Sequence, residues 1–291
     1  MKQPDFTIVT PSFRQLDYLA SCIASVADQQ GANVEHIIQD GGTEGFAGFA
    51  HQIEKKWPNR PGYRRTMISE KDEGMYDAIN RGLKKGSGAI CAYLNCDEQY
   101  LPGALEEAGK LFLKKPDVDV ILGDVLVIDP KGQAICHRKM VKPGLAHTWT
   151  CHFAALTAGI FFRRKLVEEG ILFDTRYRAA ADAEWFVRVL RSGKRIRCLQ
   201  KTTSTFAEDG ANLGLSPVAK EERTRLDTSA PAMLRIFRPA WVWGHRFRRL
   251  LRGAYRAEDV NYQIYVSGKD RRESFFASKL RTTWPGRMWS R

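Results

Sequence analysis

Ile90-Cys91-Ala92-Tyr93-Leu94-Asn95-Cys96-Asp97-Glu98 joins an uncharged run to an oxygen-rich end. The length and apolar character of Ile90 to Leu94 predict a buried strand. Asn95, Asp97 and Glu98 then stand together at its carboxyl tip. Hard oxygen ligands in that place suit Mg²⁺ or Mn²⁺ bound together with a pyrophosphate. Few protein ligands are needed, because phosphate oxygens and water complete the octahedron.

Working outward from this strand, short β-branched runs alternate with amphipathic stretches from Phe6 to about Asp129. Strands are expected at Phe6 to Thr10, Val34 to Gln39 and Arg65 to Ser69. Leu16, Leu19, Ile23 and Val26 recur at helical spacing. Further helices are expected around Phe49 to Trp57, Met75 to Lys84 and Ala104 to Leu113. This alternation predicts an α/β fold with helices on both faces of the sheet. Ligands of open α/β sheets sit beyond the carboxyl ends of the strands, so Thr10 to Ser12, Asp40 to Thr43 and Asn95 to Glu98 are expected to share one cleft. Val118 to Gly123 and Val125 to Ile128 read as further strands, followed by an Asp129-Pro130-Lys131-Gly132 turn that favours a hairpin and makes the sheet mixed. Ile160 to Phe162, a helix around Ala183 to Arg191 and a strand around Ile196 to Leu199 complete the domain. Past Gly210 the alternation fades. Residues 1–210 are therefore expected to form the catalytic domain and 211–291 a basic extension, helical or irregular, carrying Trp241, Trp243, Trp284 and Trp289.

A chain of 291 residues with 43% hydrophobic and 27% charged content is long enough to bury a large core and is neither fibrous nor disordered in composition. The net charge of +13 is concentrated at one end. Residues 231–291 hold 14 Lys and Arg against 4 Asp and Glu, whereas residues 1–230 hold 32 against 29. The six cysteines show no metal-ligand spacing and no CxxC pair, so they are expected to be reduced thiols, most of them small buried hydrophobes. Neither a signal peptide nor a run of about 18 apolar residues is read from the sequence, which gives the expectation of a cytoplasmic protein.

Four blocks carry a family likeness: Thr7 to Phe13, Gln39 to Gly45, Ser69 to Gly82 followed by Leu94 to Glu98, and Ala180 to Arg188. In this order and spacing they resemble the family 2 glycosyltransferases, in particular a branch of bacterial polysaccharide enzymes, across residues 6 to about 200. The resemblance implies the GT-A fold with a mixed central sheet, a nucleotide-diphosphate sugar donor, Mn²⁺ or Mg²⁺, and transfer with inversion to a hydroxyl of a saccharide or lipid-linked acceptor. By position it implies that Pro11, Ser12 and Asp40 lie around the nucleotide, that Asp72 and Gly74 approach the base or ribose, and that Asn95 stands at the first acid of the Asp-x-Asp motif. Asp97 and Glu98 are then the expected metal ligands and Asp182 the general base. Asn95 is a departure that removes one charge while keeping a hydrogen bond to ribose or metal-bound water.

Plain structural roles compete with each of these. Asp182 could cap a helix, and Asp40 could close an Asx turn. Asp77 and Asn80 fall in the first turns of a helix and are expected away from the nucleotide. Glu184 and Arg188, four residues apart, are expected to pair. His152, near the acceptor side, reads as structural.

The segment 234–255 mixes Arg235, Arg238, Arg246, Arg248, Arg249 and Arg252 with Phe237, Trp241, Trp243, Phe247 and Leu250. Such a segment suits the headgroup region of an anionic membrane and would place the enzyme peripherally at the inner face of the cell membrane. Two other functions fit parts of the sequence. A nucleotidyltransferase would use a similar sheet and metal, but the Gly-rich, basic loop it needs after the first strand is replaced by Pro11-Ser12-Phe13-Arg14. A basic nucleic-acid-binding protein would carry charge on its folded body, which is nearly neutral here; no nucleic acid is expected as a partner.

Overall fold

A computed structural model of the chain describes residues 4–208, 210 and 213–285. In chain order the elements begin with β1 (Phe6–Ser12), α1 (Leu16–Ala27), β2 (Val34–Asp40), α2 (Phe46–Lys56), β3 (Tyr63–Ser69), α3 (Met75–Lys85) and β4 (Ile90–Tyr93). They continue with β5 (Gln99–Tyr100), α4 (Ala104–Lys114), β6 (Val120–Ile128), β7 (Ala134–Arg138), α5 (Leu145–Thr150), β8 (Ile160–Arg163), α6 (Lys165–Glu168), α7 (Ala181–Arg191) and β9 (Ile196–Ala207). The extension holds α8 (Pro217–Thr228), α9 (Ala232–Ile236), α10 (Arg238–Leu251), β10 (Glu258–Tyr265) and β11 (Arg272–Leu280).

The first nine strands form one mixed sheet in the order β3-β2-β1-β4-β8-β6-β9-β5, with β7 paired to β6. β3, β2, β1 and β4 are parallel, and β4–β8 and β8–β6 are antiparallel. After β1 the chain builds outward to β2 and β3, then returns to lay β4 on β1's other side. The crevice between the carboxyl ends of β1 and β4 is thus the topological switch point, where open α/β sheets take their ligands.

Strand alternation assigns the two cores. Val9 packs with Ile79, Leu83, Trp185 and Phe186 of α3 and α7 on one face, while Phe6 and Ile8 pack with Cys22, Val26, Leu105 and Phe112 of α1 and α4 on the other. Trp185 anchors the first layer. Its ring stacks on Phe173 at 5.2 Å, and its Nε1 donates to the Ile171 carbonyl at 2.8 Å. Truncating such a side chain to alanine costs about 3–5 kcal/mol.

Two expectations from sequence are corrected. The strands expected at 118–123 and 125–128 are one strand, β6, interrupted only by a register shift against β9 around Asp124. Gly123 faces Thr203, leaving no room for a side chain, so the apparent break is a close approach. The extension, expected to be helical or irregular, carries three helices between 217 and 251 and then an antiparallel hairpin, β10–β11. Its exposed alternating residues hid the strand signal. The hairpin is fastened to the sheet domain: Arg272 forks onto Asp28, Nε to Oδ2 at 2.6 Å and NH2 to Oδ1 at 2.7 Å. Gln99 exchanges two hydrogen bonds with the Tyr265 backbone. Trp289 lies outside the described residues.

Candidate active site

At the end of β1, Pro11 and Ser12 remain in strand register opposite Gln39 and Asp40 of β2. The Ser12 hydroxyl is buried with no hydrogen-bond partner in the chain. Arg14 follows at φ 57°, tied by its N–H to the Thr43 hydroxyl at 2.8 Å. Asp40 is fully buried and closes an Asx turn. Its Oδ2 accepts from the N–H groups of Gly42 (3.0 Å) and Thr43 (2.7 Å) and from the Ser69 hydroxyl (2.7 Å), and its Oδ1 accepts from the Thr43 hydroxyl at 2.6 Å. Four internal donors occupy both oxygens, so Asp40 shapes the turn. Beside it Gly41 lies between the Phe13 ring and the Asp72 carboxylate; a β-carbon there would stand 3.2 and 3.0 Å from them.

Asp72 Oδ1 accepts from the Gly74 N–H at 2.8 Å. Gly74, at φ 117° and ψ 175°, adopts a conformation open essentially only to glycine as it leads into α3. Asp77 and Asn80, on that helix, are spent on structure. Asp77 pairs with Arg81 at 2.7 Å, while Asn80 clasps Phe173, donating to its carbonyl at 2.8 Å and accepting from its N–H at 3.0 Å.

Beyond β4, Asn95 and Asp97 are half-buried and Glu98 is only 1% exposed. Glu98 Oε2 accepts from the Asn95 N–H at 2.9 Å, bracing the tip of the turn from beneath. Burial and the neighbouring Asp97 charge push its carboxyl well above the ordinary carboxylate range. The sequence expectation pairs Glu98 with Asp97 as metal ligands; Glu98 is buried with its Oε1 unpartnered in the chain, while Asp97 is the acid that solvent reaches. Asn95 Oδ1 is buried with no partner in the chain.

Across the cleft Asp182 sits in the first turn of α7. The helix cap is Ala180, whose side chain makes no capping bond, so the capping role weighed for Asp182 is not the one it fills. Asp182 Oδ1 accepts from the Ala183 N–H at 2.8 Å, and the neighbouring Tyr76 hydroxyl favours the charged carboxylate. Burial raises the Asp182 carboxyl above its ordinary value, opposed by the Ala183 N–H and by the charge of Arg223. Glu184 and Arg188 form the expected bidentate pair at 2.7 and 2.8 Å.

Sequence reasoning missed Glu222. From α8 in the extension, its carboxylate accepts three consecutive N–H groups, Arg178 at 2.6 Å, Ala179 at 2.9 Å and Ala180 at 2.8 Å. These lead directly into α7 and fix the approach to Asp182. Nothing local marks Glu222, because its partners lie more than 40 residues upstream. Tyr76 was missed for the same reason, since its neighbour Asp182 is remote in sequence.

Comparison with known proteins identifies the family and the fold. Residues 7–171 match the family described as Glycosyl transferase family 2. The chain is 27% identical over 243 residues to a PGL/p-HBAD biosynthesis glycosyltransferase of Mycobacterium bovis, covering 81% of this chain and 89% of that one. It is 23% identical to the glycosyltransferase AglE of Haloferax volcanii, over 71% of this chain and 65% of that protein. Among solved structures, S. aureus TarS 1-349 in complex with UDP-GlcNAc superposes with a TM-score of 0.60 at 17% identity, covering 76% of this chain and 64% of TarS 1-349. The mannosyltransferase PcManGT of Pyrobaculum calidifontis, in complex with GDP-Man and Mn²⁺, gives 0.57 at 16% identity, over 86% of this chain and 70% of that one. The structures share the GT-A fold, and the nucleotidyltransferase reading gives way. Matched across more than half of its length, the chain is a glycosyltransferase and belongs to glycosyl transferase family 2.

Proposed function

We propose that this glycosyltransferase binds a nucleotide-diphosphate sugar at the β1–β4 switch point and transfers the sugar, with inversion, to a hydroxyl of a saccharide or lipid-linked acceptor in polysaccharide or lipopolysaccharide synthesis. The observation that carries the reading is a pair of orphaned buried polar atoms, Ser12 Oγ and Asn95 Oδ1, at neighbouring strand ends. Buried polar groups are almost always hydrogen-bonded, so two at the mouth of one crevice call for a polar ligand. Phe13 and Asp72 both approach Gly41, offering a ring and a carboxylate to a nucleoside. Gly74 lets the backbone approach it.

A divalent cation fits this donor set. Asp97 supplies a carboxylate, and Asn95 Oδ1 is an acceptor awaiting a metal-bound water or a ribose hydroxyl. When bound, Mn²⁺ or Mg²⁺ would neutralise charge developing on the nucleoside diphosphate as it leaves. The chain's own chemistry is at Asp182. The acceptor hydroxyl gives its proton to the Asp182 carboxylate while its oxygen bonds to the anomeric carbon and the bond to the diphosphate breaks. Tyr76 and the Ala183 N–H orient that carboxylate. A single displacement against one base inverts the anomeric centre.

Membrane attachment through residues 234–255 belongs to the same proposal. Among the described residues no helix is long and apolar enough to span a bilayer. α9 and α10 instead carry an exposed apolar ridge: Ile236, Trp243, Phe247, Leu250 and Leu251 are 60–72% exposed. His245 of α10 turns inward, and the Arg248, Arg249 and Arg252 guanidiniums each bury at least one nitrogen. The helix is amphipathic in reverse, polar toward the protein and apolar toward the outside, which suits the acyl boundary of an anionic bilayer.

The testing experiment is a thermal-shift series with UDP, GDP, CDP and dTDP and their sugars, each with Mn²⁺, with Mg²⁺ and with chelator. One nucleotide should raise the melting temperature in a metal-dependent way, and Asp97→Ala should remove the metal dependence. No shift with any nucleotide would overturn the donor assignment.

A further inference from the structure

His147 and His152, five residues apart, converge with the remote His245 where the extension meets the sheet domain. His147 lies on α5, His152 just past its end and His245 on the inward face of α10. Their ligand nitrogens all lie within 4.8 Å of one another. The His147 ring stacks on His245 with centroids 4.2 Å apart and meets His152 edge-on at 4.4 Å. His147 is 1% exposed and neither of its ring nitrogens has a hydrogen-bond partner in the chain; His245 is 5% exposed and its Nδ1 is likewise unpartnered. Buried polar atoms left without a partner are rare, and three of them gather in these two stacked rings.

We infer that His147, His152 and His245 form a zinc site that clasps the extension to the transferase domain. Three imidazoles are the ligand set of an open tetrahedral zinc centre, with Zn–N distances of about 2.0–2.1 Å, which would draw the nitrogens to about 3.4 Å apart. His152 is the exposed member and can swing inward, while the stacked His147 and His245 rings fan apart to aim one nitrogen each at the ion. Burial, first, and then the neighbouring arginines hold His147 and His245 down to about 3, which favours the neutral form that binds metal. Arg138, Arg223, Arg248 and Arg249 supply that positive field, so the fourth ligand is an anion, with a solvent hydroxide the simplest. The site is separate in chemistry from the nucleotide crevice. Mn²⁺ and Mg²⁺ prefer the oxygen donors at Asp97, whereas zinc prefers imidazole.

The protein, purified without a histidine tag, is to be measured for metal content and titrated with Zn²⁺ and with Co²⁺ as a spectroscopic stand-in. About one zinc per chain, visible bands of tetrahedral Co²⁺ displaced by zinc, and a zinc-dependent rise of several degrees in melting temperature are expected. His147→Ala and His245→Ala should lose all three signals, and His152→Gln, at the exposed position, tests the site where folding is not at risk. His51→Ala, exposed on α2, should keep them. A folded wild type with no bound zinc, no tetrahedral Co²⁺ spectrum and no zinc-dependent shift would overturn the assignment, and so would a His152→Gln protein that keeps all three.

Discussion

Glu222 holds Ala180: the carboxylate of an extension helix accepts the N–H at 2.8 Å, two residues before the candidate base Asp182. The N–H groups of Arg178 and Ala179 converge on the same carboxylate. The extension is therefore part of the architecture that aims α7 into the cleft.

Glu222→Ala should lower stability by about 1–3 kcal/mol, the cost of leaving buried N–H groups unpaired. It should also reduce kcat while the donor KM changes little, because α7 carries the proposed base and not the proposed donor contacts. Glu222→Gln, which keeps one oxygen acceptor, should recover part of both. Steady-state kinetics beside urea unfolding checks this; a variant that loses stability but keeps full kcat would assign Glu222 to folding alone.

Asp182→Asn should lower the transfer rate by about 10²–10⁴-fold, the usual contribution of a positioned base, and leave nucleotide affinity intact. Burial raises the Asp182 carboxyl. A base must be deprotonated to act, so the wild-type rate should fall on the acid side at a pH above the ordinary carboxylate range. Equal loss of nucleotide binding and turnover would make Asp182 structural.

Trp243→Ser with Phe247→Ser should cut sedimentation with anionic vesicles about tenfold or more, since each side chain contributes about 1.5–3 kcal/mol when it leaves water. Added salt should change this binding little, because Arg248, Arg249 and Arg252 bury part of their guanidiniums against the protein. If the double variant sediments as well as wild type, the apolar ridge is not the contact.

Acid sensitivity should include a contribution from His36. Its ring is buried between Thr10 (2.9 Å) and Tyr63 (3.1 Å), and burial, with Arg65 nearby, lowers it to about 3. A base whose folded pKa lies below its unfolded value of about 6.5 contributes stability that is full above 6.5 and is lost as pH falls toward 3. His36→Gln should therefore flatten the loss of stability between pH 6.5 and 4 in urea titrations. An unchanged slope would show that other groups set it.

The parallel half of the sheet was legible because each of its elements buries a periodic face. Val9 against Ile8, and Leu19 with Ile23, declare strand and helix within a few residues. Loop chemistry was legible at Asp40 and Gly74, where side-chain hydrogen bonding and backbone freedom are local properties. Roles that depend on solvent access were not. Asp97 and Glu98 are adjacent acids with the same apparent chemistry, and only the turn geometry buries one beneath the other.

The sequence by itself determined the alternation of strands and helices, the acidic and Gly-rich turns at the strand ends, the family, and the concentration of positive charge near one end. Tertiary structure alone decided that Glu222 reaches back 42 residues to Ala180, that His245 meets His147 and His152, and that Arg248 and Arg249 of α10 bury part of their guanidiniums. Periodicity and spacing record interactions across a few residues, because a helix or strand brings only near neighbours together. Contacts made by chain closure leave no such period, and they become visible only when the elements are packed.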